Sequence, residues 1–394
     1  MTYDAIVLGI GGMGSAAVYH LAKRRRKVLG LEQFNIGHDL GSSHGVNRII
    51  RLAYAEDPRY VPLLRRSYEL WREIENLTNE RLLVITGGID AGPETGVIIP
   101  GSLRACREHS LPHEVLDSSS LRLRFPGYRF PSKMIAVYQQ DAGFVLSERA
   151  IIAYVMAAQA LGAEIRAREQ VLRWEIKKGY VKVHTNRNSY RTRHLVVTAG
   201  AWAGKTIPAL QKARMAVPER QVLIWTQPLR PQYFQPGSFP IFNMEGVEEV
   251  PGRYYGFPIF QFPWFKLGKY HHLGEEVDPD GMNRECSLQD EEVLRRAIRK
   301  YFPDADGPTM AMKTCLFTNS PDEHFILDLH PETPLVSIAA GFSGHGFKFC
   351  SVVGEIMADF ALEGECDRFD LRLFRINRKM NPLPNRNRAA ETHK

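Results

Sequence analysis

The feature that most constrains this chain is its opening, Asp4-Ala-Ile-Val-Leu8 followed by Gly9-Ile-Gly11-Gly12-Met13-Gly14. A short apolar run closed by glycine reads as a buried strand. Behind the glycines, Ala16, Ala17, Leu21 and Ala22 recur at helical spacing up to Lys23, and Lys27 to Leu31 reads as a second strand ending on Glu32. Together they form a β-α-β unit of the expected size, with a glycine fingerprint in its first turn. Each glycine has a separate job: Gly9 makes the tight turn, Gly11 lets the backbone approach a pyrophosphate, and Gly14 lets helix and strand pack closely. The helix start, with free N–H groups and a positive dipole end, faces the phosphates. Glu32 can then accept both hydroxyls of an adenosine ribose, a role that fits NAD and FAD equally.

The segment after Glu32 separates the two. An NAD domain continues into further short β-α units. Here the chain enters Gly37-His-Asp-Leu-Gly41-Ser42-Ser43-His44-Gly45-Val-Asn47-Arg48-Ile-Ile-Arg51, a glycine- and serine-rich loop carrying His and two Arg, before a helix over 60–74. A loop that long inside a domain points to function. Strands are expected over 82–89 and 136–145, a helix over 147–161, and short strands near 164–165, 181–183 and 194–202. From Val217 to Leu267 the pattern becomes proline- and aromatic-rich without helical period, which predicts an antiparallel sheet and a second domain. A helix over 287–301, strands over 325–327 and 335–340, a turn over 341–348 and a helix over 350–362 complete the chain.

Composition sets the outer bounds. At about 150 residues per domain, 394 residues allow two or three domains, and 44% hydrophobic with 24% charged residues is a globular balance. Five cysteines are too few for a disulfide scaffold, and the odd count leaves at least one free, modified or ligated. Cys106, Cys286, Cys350 and Cys366 lack metal-ligand spacing, so no metal is expected. The net charge of +7 is mild. Its densest run, Arg24 to Lys27, and the scattered Arg375, Arg378, Lys379, Arg386 and Arg388 have no interleaved aromatics, so nucleic acid is not an expected partner. A small anionic substrate suits the charge. The longest apolar run, 151–161, falls short of the ~20 residues of a membrane span. With no secretory leader and no peroxisomal tripeptide, a cytoplasmic protein is expected.

Several segments resemble one family. Beside the fingerprint stand Gly41-Ser-Ser-His44-Gly-Val-Asn-Arg48-Ile-Ile-Arg51, Tyr60-Val-Pro-Leu, Tyr254-Tyr255-Gly-Phe-Pro, Lys266-Leu-Gly, Asp322-Glu-His-Phe-Ile and Ala340-Gly-Phe-Ser-Gly344-His345-Gly346-Phe347-Lys348. They are similar to the monomeric sarcosine oxidase / N-methyltryptophan oxidase family of flavoenzymes. The resemblance implies an α/β plus antiparallel-β chain. Its Rossmann-like FAD-binding domain, of the glutathione-reductase/D-amino-acid-oxidase type, would comprise 1–85, 146–216 and 320–378. A substrate domain would comprise 86–145 and 217–319, leaving 379–394 as a disordered tail.

The resemblance also implies roles. FAD would be covalent, through Cys315 to the 8α carbon, with His44 and Arg48 near the ring lowering the thiol pKa. Gln33, Ser42, Ser43 and Val171 would join the fingerprint and Glu32 in holding the dinucleotide. The Gly344, Gly346 and Phe347 turn would aim N–H groups at the flavin. Arg51 and Lys348 would hold the substrate carboxylate, His345 and Tyr255 would line the cavity, and Lys266 would stabilise the charge that develops as O₂ reacts. The implied reaction moves a hydride from a secondary amino acid to flavin N5, giving an imine and, after O₂, H₂O₂, in a monomer. Alternatives are an amine dehydrogenase with another acceptor, a glycated amino acid oxidase, an NAD(P)-linked dehydrogenase, or a non-catalytic nucleotide-binding protein. Three departures from the family pattern bear on substrate choice: Ser43 and Asn47 replace a histidine and a threonine, Phe317 replaces a tyrosine, and one extra residue near Lys269 leaves Tyr270 or His271 as candidates for one active-site position. Phe317 and the aromatic run from Phe260 to Phe265 predict an apolar cavity wall and a substrate larger than sarcosine.

Overall fold

The structure, a computed structural model, describes residues 2–247 and 250–380. Most of the expected tail lies outside the described residues.

Two eight-stranded sheets and one small sheet organise the chain. In the first, Thr2–Leu8 lies between Ser189–Val197 and Val28–Leu31, parallel to both. Glu164–Arg166 and Thr333–Ala340 extend the parallel part, and an antiparallel hairpin of Val171–Lys177 and Tyr180–Thr185 closes one edge. All four residues of Val28–Leu31 are buried, because helices or loops cover both sheet faces. Helix Gly12–Lys23 packs between helices Ser147–Ala160 and Cys350–Glu363. Small residues permit that approach: a Cβ on Gly354 would stand 2.5 Å from Ala16.

The second sheet runs in the order Thr309–Asn319, Val217–Thr226, Phe265–Lys269, Gly252–Phe257, Ile241–Gly246, Gly88–Pro93, Met134–Gln139 and Glu114–Asp117. It is antiparallel except where Ile241–Gly246 meets Gly88–Pro93 in parallel, two strands that come from separated segments. Its far face buries Phe234, Phe239, Phe242, Phe265 and Phe302, with the rings of Tyr128 and Phe239 stacked 4.4 Å apart. Helix Leu288–Tyr301 covers this core and opens on a capping box between Ser287 and Asp290.

The small sheet joins Asn47–Ile50, Gly143–Leu146 and Leu83–Ile85. It corrects two expected strands. The run over 82–89 divides between the small sheet and Gly88–Pro93 of the second, and the run over 136–145 divides in the same way. Gly87, at φ 73°, turns the chain between the sheets. Gly143 allows the crossing, since a Cβ there would lie 2.0 Å from the Val84 carbonyl oxygen. Apolar periodicity runs straight through both breaks and does not mark them. No helix among the described residues is long and apolar enough to cross a membrane.

Candidate active site

A cavity of about 630 Å³ opens at the carboxyl end of the first sheet, where an α/β sheet binds its ligand. Gly9, Gly11, Gly12 and Met13 line it, as do Glu32, Gln33, Ser42, Ser43, Arg48 and Val171. Gly9 holds φ 89°, the left-handed conformation its tight turn needs. Gly14 does not line the cavity: a Cβ there would stand 1.8 Å from the Gly9 carbonyl oxygen, so it packs the turn onto the helix. A Cβ on Gly11 would meet nothing nearer than Ser43 Oγ at 3.7 Å, and the first-turn N–H of Gly12 makes only a long hydrogen bond, 3.4 Å, to that same Ser43 hydroxyl. That open backbone cradle at a helix start fits a pyrophosphate.

Glu32 is buried at the end of its strand. Its carboxylate accepts from the Ile10 N–H at 2.8 Å and from the Phe34 N–H at 2.9 Å, which leaves acceptor capacity for ribose hydroxyls. Thr198, Ala199, Trp202 and Cys350 also line the cavity, a contribution that sequence reasoning missed because it comes from the ends of distant elements.

A small cavity of about 30 Å³ adjoins the large one, sharing Arg48, Phe317, Gly344 and Phe347 with it. Ile49, Arg51, Asn243, Tyr255, Phe257, Tyr270, His345 and Lys348 complete its walls. Arg51 is fully desolvated, yet its Nε donates to Asp90 at 3.0 Å and Nη2 to Glu56 at 3.3 Å. Burial works against its charge, and the two carboxylates more than offset it. Lys348 donates from Nζ to the His345 carbonyl at 2.7 Å, above the Tyr54 ring. Burial, then Arg51, hold its pKa well below the usual lysine range. His345 is held by Tyr54 Oη at 2.6 Å and by the Glu323 carbonyl at 2.9 Å, and burial drops its pKa to about 3, so it acts as a neutral ring.

Lys266 is buried, with Nζ donating to the carbonyl oxygens of Gly45 and Asn47 at 2.6 and 3.0 Å and to Asn47 Oδ1 at 2.9 Å. Burial, with Arg48 nearby, pushes its pKa well down. Cys315 lies within the field of Lys266 and Arg48 but, unlike Leu316, Phe317 and Thr318, does not line the large cavity. Burial outweighs both cations and raises its thiol pKa, a correction to the expected lowering. His44 is also buried away from the cavity walls. Neither ring nitrogen has a hydrogen-bond partner among the described residues, and burial, then Arg48, lower its pKa to about 3.

The structure decides between the two aromatic candidates. Tyr270 lines the small cavity, 5.2 Å from the Tyr255 ring, while His271 turns away at φ 55° to sit between the carboxylates of Glu219 and Glu323. It also changes the expected wall. Phe265 faces the core on the second sheet, Phe260 packs on Phe144, and Phe262 stacks on Trp264 near the surface. The apolar lining comes instead from Ile49, Phe257, Phe317 and Phe347. Among the described residues no group of His, Cys, Asp or Glu is arranged to hold a metal ion.

A family model described as FAD dependent oxidoreductase matches residues 4–360. The chain belongs to that family. It is 42% identical over 373 residues to the monomeric sarcosine oxidase of Streptomyces avermitilis, covering 92% of this chain and 94% of that one. Human peroxisomal sarcosine oxidase is 34% identical, over 95% and 96% of the two chains, and the N-methyl-L-tryptophan oxidase of Yersinia pestis 34%, over 92% and 95%. Among solved structures, NikD, an unusual amino acid oxidase essential for nikkomycin biosynthesis, superposes with a TM-score of 0.81 at 23% identity over 98% of this chain and all of that one, a likeness of fold. The chain is an FAD-dependent oxidoreductase acting on CH–NH donors, of α/β plus antiparallel-β architecture.

Proposed function

We propose that this protein is an oxidase of secondary amino acids, N-methylated or cyclic, that passes electrons to O₂ and releases H₂O₂. The observation that carries the reading is the small cavity: it shares walls with the large one and is lined by the buried cations Arg51 and Lys348. Arg51 already pairs with Asp90 and Glu56, whereas Lys348 has no carboxylate partner among the described residues, and a substrate carboxylate beside it would offset the burial that disfavours its charge. The names of the sarcosine and N-methyl-L-tryptophan oxidases agree with that class.

FAD supplies the electron sink for the C–N bond and the route to O₂. The chain's residues do the rest. Arg51 and Lys348 fix the carboxylate, which places the adjacent C–N unit near Arg48 and Gly344. His345, neutral, and Tyr255 shape the wall without a strong base. Buried Lys266 offers the charge that favours reaction with O₂. The dinucleotide-binding part is assigned to 1–85, 146–216 and 320–378 and the substrate part to 86–145 and 217–319, and the protein acts as a monomer. Cys315 carries the flavin covalently, once its buried thiol ionises beside Arg48 and Lys266. Acid precipitation is then expected to leave a yellow pellet, and Cys315→Ser to release free FAD; free FAD from the unchanged protein overturns the linkage.

The activity itself is tested by assaying H₂O₂ from a panel of N-methyl, cyclic and glycated amino acids. Peroxide from secondary amino acids supports the reading. Dye reduction without O₂ consumption points to a dehydrogenase, and turnover confined to glycated amino acids replaces the substrate class.

A further inference from the structure

Behind the small cavity five side chains close a hydrogen-bonded ring. Arg51 Nε donates to Asp90 Oδ2 at 3.0 Å, and Asn243 Nδ2 donates to Asp90 Oδ1 at 3.0 Å. Arg253 Nε donates to Asn243 Oδ1 at 2.8 Å, Arg253 Nη2 to Glu56 Oε1, and Arg51 Nη2 returns to Glu56 Oε2 at 3.3 Å. The ring draws on four segments: the turn after Asn47–Ile50, and strands Gly88–Pro93, Ile241–Gly246 and Gly252–Phe257. Two of its members, Arg51 and Asn243, face the cavity beside Lys348.

The ring holds two guanidiniums and two carboxylates, so its charges cancel. The Nε and Nη2 positions of Arg51 are already engaged by protein anions. Lys348 is the cation of this end that no salt bridge among the described residues answers, since its Nζ donates to a carbonyl; Arg48, on the wall shared with the large cavity, likewise donates only to carbonyls, those of Asn47 and Ser42. His271 with Glu219 and Glu323 forms a neighbouring group nearer solvent, where its field is better screened. The carboxylate end of the cavity is therefore balanced for one incoming negative charge.

We propose that Asp90 is a specificity-determining residue: by cancelling Arg51 it leaves this end of the cavity one positive charge, so the enzyme accepts amino acids with a single carboxylate and an uncharged remainder and rejects dicarboxylic ones. The proposal rests on the amino acid oxidase reading for its substrate class, and it adds a discrimination that the reading does not contain. A second carboxylate held at this end would enter a desolvated space with no further cation there to meet it, where one unpaired charge outweighs the gain from extra contacts.

The test uses two unreactive ligands of equal size and different charge, succinate and succinamate, titrated into the holoenzyme and read by the change in flavin absorbance. Succinamate is expected to bind at least about tenfold more tightly than succinate. Asp90→Asn, which adds one net positive charge, is expected to narrow that ratio by about tenfold or more, and Asn243→Asp, which adds a negative charge to the same ring, to widen it. Opposite shifts from two substitutions in one ring are not produced by loosened packing. Equal binding of the two ligands by the unchanged enzyme overturns the proposal, as does a ratio that stays put or moves the same way in both variants. If Asp90→Asn does not hold flavin, Asn243→Asp alone decides, and an unchanged or narrowed ratio overturns it. Neither ligand is oxidised, so this result stands apart from the peroxide assay: peroxide formation can fail while the charge ratio holds, and the reverse.

Discussion

At the residue scale, the site is governed by burial acting on charge. Lys266 sits in a desolvated pocket between the Phe257 and Trp225 rings, held by three oxygen acceptors. None of those acceptors is a carboxylate, so burial disfavours its charge with no paired anion to offset it, and negative charge developing on O₂ beside it would favour the protonated form, as the proposed role requires. Lys266→Met is expected to leave reduction by substrate nearly unchanged and to slow re-oxidation by O₂ at least about a hundredfold, separable in stopped flow. Equal slowing of both half-reactions would assign Lys266 to another step. His271 gives a second expectation. Burial lowers its pKa, but hydrogen bonds to Glu219 and Glu323 outweigh that and leave it raised. A folded-state value above the ordinary ~6.5 means stability present in full at acid pH and lost as pH rises through the raised value. His20 and His194, lowered to about 4 by burial, act in the opposite sense, with stability lost as pH falls. The difference in Tm between the unchanged protein and His271→Gln isolates His271: it is expected to be largest near pH 6 and to shrink toward about pH 9. A difference that does not change with pH would show that His271 is neutral throughout.

At the scale of elements, two glycines of one turn make separable predictions. Gly14→Ala places a methyl group against the Gly9 carbonyl oxygen and 2.7 Å from Thr198 Oγ1, a hydroxyl held by its donations to the Leu8 and Gly9 carbonyls. It is expected to cost about 1–3 kcal/mol and lower Tm even without cofactor. Gly11→Ala meets only open cradle, so the apoprotein is expected to melt as before and to hold little FAD, as read by the 450 nm absorbance (about the usual flavin maximum) and flavin content. If both substitutions lower the apoprotein's Tm alike, the division of labour is wrong. The same scale explains the two divided strands. Whether an apolar run stays in one sheet depends on the partners it meets, and a change of partner at Gly87 or Gly143 leaves hydrophobic periodicity intact.

At the scale of the whole molecule, the large cavity lies between surfaces built on both main sheets. Lys205 bridges Asp278 and Asp280, and the Trp202 indole donates to Asp280 at 2.6 Å, at the cavity's rim. These groups are exposed, so their ion pairs add little to stability. Asp280→Ala is accordingly expected to leave Tm nearly unchanged but, in a Cys315→Ser background, to speed loss of FAD by about three- to tenfold, followed by fluorescence of the freed flavin. Unchanged release would show that the rim does not retain the cofactor. The cofactor fingerprint was legible in the sequence because it is local: Gly9, Gly11, Gly14 and Glu32 act within one β-α-β unit, where spacing dictates geometry. The cations Arg51, Lys266 and Lys348 were legible only as carriers of a family resemblance. Asp90, Asn243, Arg253 and Glu56 were not legible at all. Each is an ordinary polar residue on a strand or turn, and only the folding of four segments against one another closes them into a ring whose charges cancel. Tyr270 and His271 were equal candidates until a left-handed turn at His271 sent one ring into the cavity and the other between two carboxylates. Local spacing thus determined which cofactor fold the chain adopts, whereas long-range packing decided which charges meet inside it, because pairing between distant segments leaves no periodic trace along the chain.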